Sequence, residues 1–205
     1  MTPSAIVMAC LGLIIFLFYF AFERSHPKAS ELVLVAQLCA LAISARAIFS
    51  FVPYFNPVLA IIMLSGLTLG SRKGFLIGSL TAFGSNFIFG QGPWTLYQMV
   101  SWGLAGVIFG LLGFFKIVGR GDWRARDFVI ASVAAALSIV FITGPLADLS
   151  GVFMFGVNDL KSLTALLAGG FVLNLSLAAS TIVTFLVAAR AFLFALGRAC
   201  RRSTA

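Results

Sequence analysis

Charge is almost absent from the stretches that make up most of this chain. Residues 6–22, 31–51, 58–70, 75–89, 96–116, 128–146 and 163–189 are near-continuous apolar runs, and Arg46 is the one basic residue set well inside any of them. A helix of about 20 residues matches the thickness of a bilayer's hydrocarbon core. In lipid a backbone must satisfy its own hydrogen bonds, which helices do within one segment. With 61% apolar and 10% charged residues over 205 positions, the chain has too little polar surface to cover a water-soluble domain. The expected fold is therefore all-α, a polytopic transmembrane helix bundle. The run at 58–70 is short for a full span, which points to a tilted helix or one buried in protein.

The basic residues test this segmentation. Twelve of the 14 Lys and Arg follow the first, third, fifth and seventh runs, and the alternate set of turns holds only Lys161. Basic residues concentrate in cytoplasmic turns, so the pattern places the C-terminus in the cytoplasm and the N-terminus outside. The net charge of +8 then reflects membrane orientation rather than a nucleic-acid surface. In the first run the basic residues Arg24 and Lys28 come after the apolar stretch, which reads as a retained transmembrane helix rather than a signal peptide. Residues 1–30 thus form an extra N-terminal helix and its turn, and 31–205 form the membrane core. Cys10, Cys39 and Cys200 lie in or beside apolar runs without metal spacing and read as small buried residues. His26 is the only histidine, which argues against a His-ligated metal centre. No metal and no cofactor is expected.

On the outer side of this topology lie three irregular connections, 52–57, 90–95 and 147–161. The middle one belongs to an uncharged stretch, 86–99, that sets Asn86, Gln91, Trp94, Thr95, Tyr97 and Gln98 around Gly90-Gln91-Gly92-Pro93. Glycine gives that turn its backbone freedom, and proline opens the helix after it. Amides among aromatic rings suit a neutral or weakly charged polar-aromatic ligand, with Tyr54 and Asn56 on the neighbouring loop. An interfacial aromatic belt accounts for Trp94 and Tyr97 equally well. Arg46 sits within about two turns of the outer end of its helix. It is open to two readings: a site residue reaching a cavity under these loops, or a structural group that snorkels or pairs with Asp148. Gly66, Gly70, Gly74 and Gly78 recur every four residues, Gly103, Gly106, Gly110 and Gly113 lie along the fifth run, and these read as close helix packing. Ala36 and Ala40 make a small-xxx-small face for another helix, within this chain or on a partner.

No Walker A sequence is present, and no Ser/His/Asp set is credible with His26 in a cytoplasmic turn. The chain is not expected to be an enzyme.

The segments Ala45-Arg46-Ala47-Ile48-Phe49-Ser50-Phe51-Val52-Pro53-Tyr54-Phe55-Asn56-Pro57, Gly70-Ser71-Arg72-Lys73-Gly74-Phe75-Leu76-Ile77-Gly78 and Phe89-Gly90-Gln91-Gly92-Pro93-Trp94-Thr95 together resemble the substrate-specific S components of energy-coupling factor (ECF) vitamin transporters. The resemblance covers about residues 31–113, and the later helices only in layout. It implies a six-helix core that binds a vitamin or related micronutrient near the outer face. It implies that the Ala36/Ala40 face docks a transmembrane coupling (T) subunit driven by two cytoplasmic ATPase subunits. It implies vitamin-facing loops at 52–57, 90–95 and the turn at Asp148, and together with the residue reading above the candidate substrate residues are Arg46, Tyr54, Asn56, Asn86, Gln91, Trp94, Gln98 and Asp148. Cobalamin is the leading ligand, with riboflavin, a pterin or a queuosine precursor as alternatives. The span at 6–22 departs from the six-helix pattern. The alternative function is a stand-alone secondary transporter or facilitator for a small organic solute.

Overall fold

The computed structural model describes residues 3–121, 123–157 and 159–204, with side chains from residue 6 to residue 199 of those ranges. The side chains of Cys200, Arg201 and Arg202 lie outside the described set. Among the described residues every regular element is helical: α1 (Pro3–Glu23), α2 (Ala29–Phe49), α3 (Val58–Leu69), α4 (Ser71–Phe89), α5 (Trp94–Phe114) and α6 (Ala125–Ser138). A π-helical turn, Ile139–Thr143, carries α6 into α7 (Gly144–Asp148), followed by α8 (Gly151–Phe155) and α9 (Leu160–Thr204). Five helical stretches are long and apolar enough to cross a membrane: α1, α2, α5, α6 through α8, and α9. The all-helical membrane reading therefore stands. Large apolar side chains such as Phe51, Phe87, Phe141 and Val187 face outward, as suits a lipid-facing surface.

The core is built on α3, α4 and α5. α3 is the most buried helix, with Val58 to Leu67 buried without a break, because α2, α4, α5 and α9 all pack against it. Its shortness thus goes with burial in protein. Backbones meet directly where glycines align. A Cβ on Gly66 would lie 2.1 Å from the Gly106 carbonyl oxygen, and one on Gly106 would lie 2.2 Å from that of Gly74. Gly78 abuts the Trp102 carbonyl, and Gly110 abuts Ser71. Gly70 has a different task. Its Cβ position is open, and its φ of +88° makes it the whole connection between α3 and α4. Arg72 and Lys73 accordingly stand in the first turn of α4 rather than in a separate basic turn.

Polar contacts gather the basic segments at one end. Lys73 Nζ pairs with Glu31 of α2 at 2.5 Å. Arg190 of α9 donates through Nε and Nη2 to the Trp123 carbonyl, and Trp123 Nε1 donates to the Gly119 carbonyl at 2.8 Å. At the opposite end Ser180 Oγ of α9 donates to the Asn56 carbonyl at 2.8 Å. α1 packs on α4 and α5, through a Phe18–Phe75 ring stack (3.9 Å) and a Tyr19–Ser79 hydroxyl contact (3.1 Å). Of the cysteines expected to be buried, Cys39 is, whereas Cys10 faces outward.

The glycine contacts make a sharp prediction. Gly106→Ala forces two backbones apart and is expected to cost about 1–3 kcal/mol, as overpacking does. Gly169→Ala, whose Cβ meets nothing within 4 Å, is expected to be neutral or slightly stabilising. Unfolding midpoints of the two variants in detergent compare them directly.

Candidate functional site

The turn between α4 and α5 shows why its sequence is so specific. Gly90 adopts φ +100°, which favours glycine. Gly92 lies under the Trp94 ring, where a Cβ would come within 2.2 Å of ring carbons. Pro93 precedes the first residue of α5. Thr95 Oγ1 donates to Gln91 Oε1 at 2.8 Å and accepts from the Gly92 N–H at 3.3 Å. Gln91 Nε2 donates to the Phe83 carbonyl at 3.0 Å. Gln91 is therefore the brace of the turn.

Asn86, 1% exposed, joins this brace to α2 and α5. Its Nδ2 donates to Gln98 Oε1 at 2.8 Å and to Thr95 Oγ1 at 3.2 Å. Its Oδ1 accepts from Arg46 Nη1 at 2.9 Å. The same Nη1 also donates to Ser85 Oγ. The guanidinium lies over the Phe89 ring at 4.4 Å and the Trp102 ring at 5.0 Å from the centroids. Arg46 is thus held by two neutral oxygens and two aromatic faces. Its charge has no carboxylate partner among the described residues.

These groups open on a cavity of about 290 Å³, lined by Arg46, Asn86, Phe89, Trp94 and Gln98 on one side and by Ala147, Ser150 and Met154 on the other. The second wall comes from the broken end of the α6–α8 stretch. The π-helical turn is tied to α5 by Ser101 Oγ donating to the Thr143 carbonyl at 2.6 Å. Pro145, which has no N–H to give, stands just beyond it. The chain then continues as two short helices, α7 and α8, in place of a straight rod.

Of the residues expected at a site, Arg46, Asn86, Trp94 and Gln98 come together here. Gln91 does not: it lines an apolar cleft of about 510 Å³ between α1 and the α4–α5 pair. Asn56 caps α3, its Oδ1 accepting from the Val58 N–H at 3.1 Å. Tyr54 is 73% exposed at φ +61° and lies apart from the cavity. Asp148 faces α9 instead of Arg46, and accepts from Asn174 Nδ2 at 2.7 Å. Gly170 leaves it room, since a Cβ there would fall 2.1 Å from Asp148 Oδ2. The structural pairing of Arg46 with Asp148 is therefore absent. Phe89, Ser85, Trp102, Ala147, Ser150 and Met154 join the site without having been singled out. Phe89 was the readable one, three residues after Asn86 and so on the same helix face. Ala36 and Ala40 are exposed on α2, while Val35, Leu38, Cys39 and Ala42 are buried. Among the described residues that small-residue face is exposed.

Comparison with protein-family models, with curated proteins and with solved structures finds no match.

Asn86→Leu removes the acceptor for Arg46 and both donors to α5. Leaving such buried partners unsatisfied is expected to cost about 1–3 kcal/mol. Tyr54→Ala, at an exposed position, is expected to leave the unfolding midpoint unchanged.

Proposed function

We infer that this chain is the substrate-binding membrane subunit of an ATP-driven importer of the energy-coupling factor type, taking up a vitamin-like micronutrient. The observation that carries this reading is the cavity of about 290 Å³ at one end of the bundle, where an intramembrane arginine, two amides and two aromatic rings converge. Concave sites with an apolar lining and a few convergent polar groups are the usual form of small-molecule sites, and an ionisable group inside a span is by default a functional one. The exposed face of Ala36 and Ala40 supports a docking role for α2.

In this reading α2, α3, α4, α5, the α6–α7 segment and α9 are the six core helices, and α1 is an addition on the surface of α4 and α5. The basic end faces the cytoplasm of the cell, so the N-terminus is outside and the C-terminus inside. The coupling subunit and two ATPases supply the energy, and the chain itself performs no catalysis. The size of the cavity favours a compact ligand over a corrin such as cobalamin.

Uptake of the molecule that copurifies with the protein, identified by mass spectrometry, is expected to require the coupling and ATPase subunits. Uptake by the chain alone in liposomes would instead establish the facilitator alternative. Ala40→Leu is expected to weaken coupling-subunit association by about tenfold, as lost close packing does, and to leave ligand binding intact. Trp94→Ala and Gln98→Ala are expected to do the reverse. Copurification assays and ligand titration separate the two effects.

A further inference from the structure

The cavity's electrostatics specify its ligand more closely, given the reading of it as a substrate site. Arg46 uses Nη1 on Ser85 and Asn86, and Phe89 and Trp102 cover its ring-facing surfaces. Nε and Nη2 have no protein acceptor among the described residues. No Asp or Glu lines the cavity. Asp148, next to the lining residue Ala147, is engaged by Asn174 on α9. The Lys73–Glu31 pair stands at the other end of α4. A guanidinium at membrane depth with only neutral partners carries an unbalanced charge. The Nε–Nη2 edge of a guanidinium offers two parallel N–H groups, the fork that matches a carboxylate or phosphate. Around it, Phe89, Trp94 and Met154 provide flat or adaptable apolar surface, and Gln98 and Ser150 provide neutral hydrogen-bonding groups.

We propose that the cavity binds a compact organic anion, one carboxylate or phosphate on a planar aromatic body, with the anionic group on the free edge of Arg46 and the ring against Trp94. The ligand brings the counter-charge that the protein withholds. A bound carboxylate then leaves the cavity neutral and a bound phosphate leaves it negative, whereas a neutral isostere leaves the arginine unbalanced. This discriminates by charge at little cost in shape.

The test uses the full chain in phosphatidylcholine nanodiscs, read by tryptophan fluorescence, since Trp94 lines the cavity and Trp102 touches Arg46. The probes are matched pairs: benzoate and benzamide, 2-naphthoate and 2-naphthamide, 2-naphthyl phosphate and 2-naphthol. The first two pairs report a carboxylate site and the third a phosphate site. For at least one pair the anion is expected to bind at least about tenfold more tightly than its neutral partner, the scale of one charge-assisted fork. Arg46→Gln is expected to erase that preference, and Arg46→Lys to retain part of it. Gln98→Ala is expected to weaken both members alike. If Arg46→Gln fails to fold, Arg46→Lys and the salt dependence of wild-type binding carry the comparison, and both are expected to lower the preference. The proposal is overturned if the neutral members bind as well as the anions. It also fails if no anion in the panel binds, or if the anion preference survives every change at Arg46 and added salt. Failure here is separable from failure of the importer reading. A neutral ligand with ATPase-dependent uptake removes the anion proposal alone. Anion preference with uptake independent of the ATPases removes the importer alone.

Discussion

The bundle depends on backbones touching. Gly66, Gly74 and Gly106 bring α3, α4 and α5 together at distances that no side chain allows. In water such a contact would be one of many ways to bury apolar surface. In lipid, burying apolar side chains yields little, because the surrounding tails are as apolar as leucine, and close packing has to hold the helices together. The glycine contacts do so along the first two turns of α4, from Ser71 against Gly110 to Gly78 against Trp102. Once those axes are fixed, so is the gap between the last turn of α4 and the first turn of α5. The Gly90–Pro93 turn closes that gap, and Asn86, Thr95 and Gln98 meet across it.

The site follows from that geometry. Asn86 is the joint: its oxygen serves α2 through Arg46, and its nitrogen serves α5 through Thr95 and Gln98. Arginine suits the position on α2 better than lysine would. A planar, delocalised cation can lie over Phe89 and Trp102 and still donate in its own plane, whereas an ammonium is a strongly hydrated point charge. Neutral oxygens and ring faces hold the arginine in one orientation without cancelling its charge. A carboxylate in the same place would have made a stable ion pair and an electrically silent cavity.

The sequence made the membrane architecture legible because the lipid constraint acts on composition. Long uncharged runs and segregated basic residues must appear wherever helices cross a bilayer. The Gly66–Gly78 repeat was equally legible as close packing, although it runs over two helices: Gly66 lies on α3, Gly74 and Gly78 on α4, and Gly70 at φ +88° is the hinge between them. The site was harder to read. Gln91 and Gln98 are the same residue type seven positions apart, which on a continuous helix would put them on one face. The turn at Gly92 and Pro93 interrupts that register, so Gln91 braces the loop and Gln98 lines the cavity. Asp148 and Asn56 looked like site residues because polar groups near a membrane interface are scarce. The partner of Asp148, Asn174, lies on α9 far along the chain, where no local pattern announces it, whereas the Asn56 side chain is taken up locally by the Val58 N–H at the start of α3.

In the proposed importer one helix, α2, would serve both the docking face and the cavity. On α2, Ala36 and Ala40 face away from the bundle while Arg46 reaches into it, and the six residues from Ala40 to Arg46 span about 9 Å of helix. A helical segment that short is stiff, so a change in how Arg46 is held would shift the outer face with it. The arginine has one set of partners fixed by Asn86 and Ser85 and a free edge left for a ligand. An anion on that edge would, in the proposed importer, balance the charge where α2 meets α4. In the proposed importer, the state of the cavity would therefore be presented to a docking partner through the tilt of a single helix. The small residues of that face make it sensitive to such a tilt, because close backbone packing tolerates little displacement.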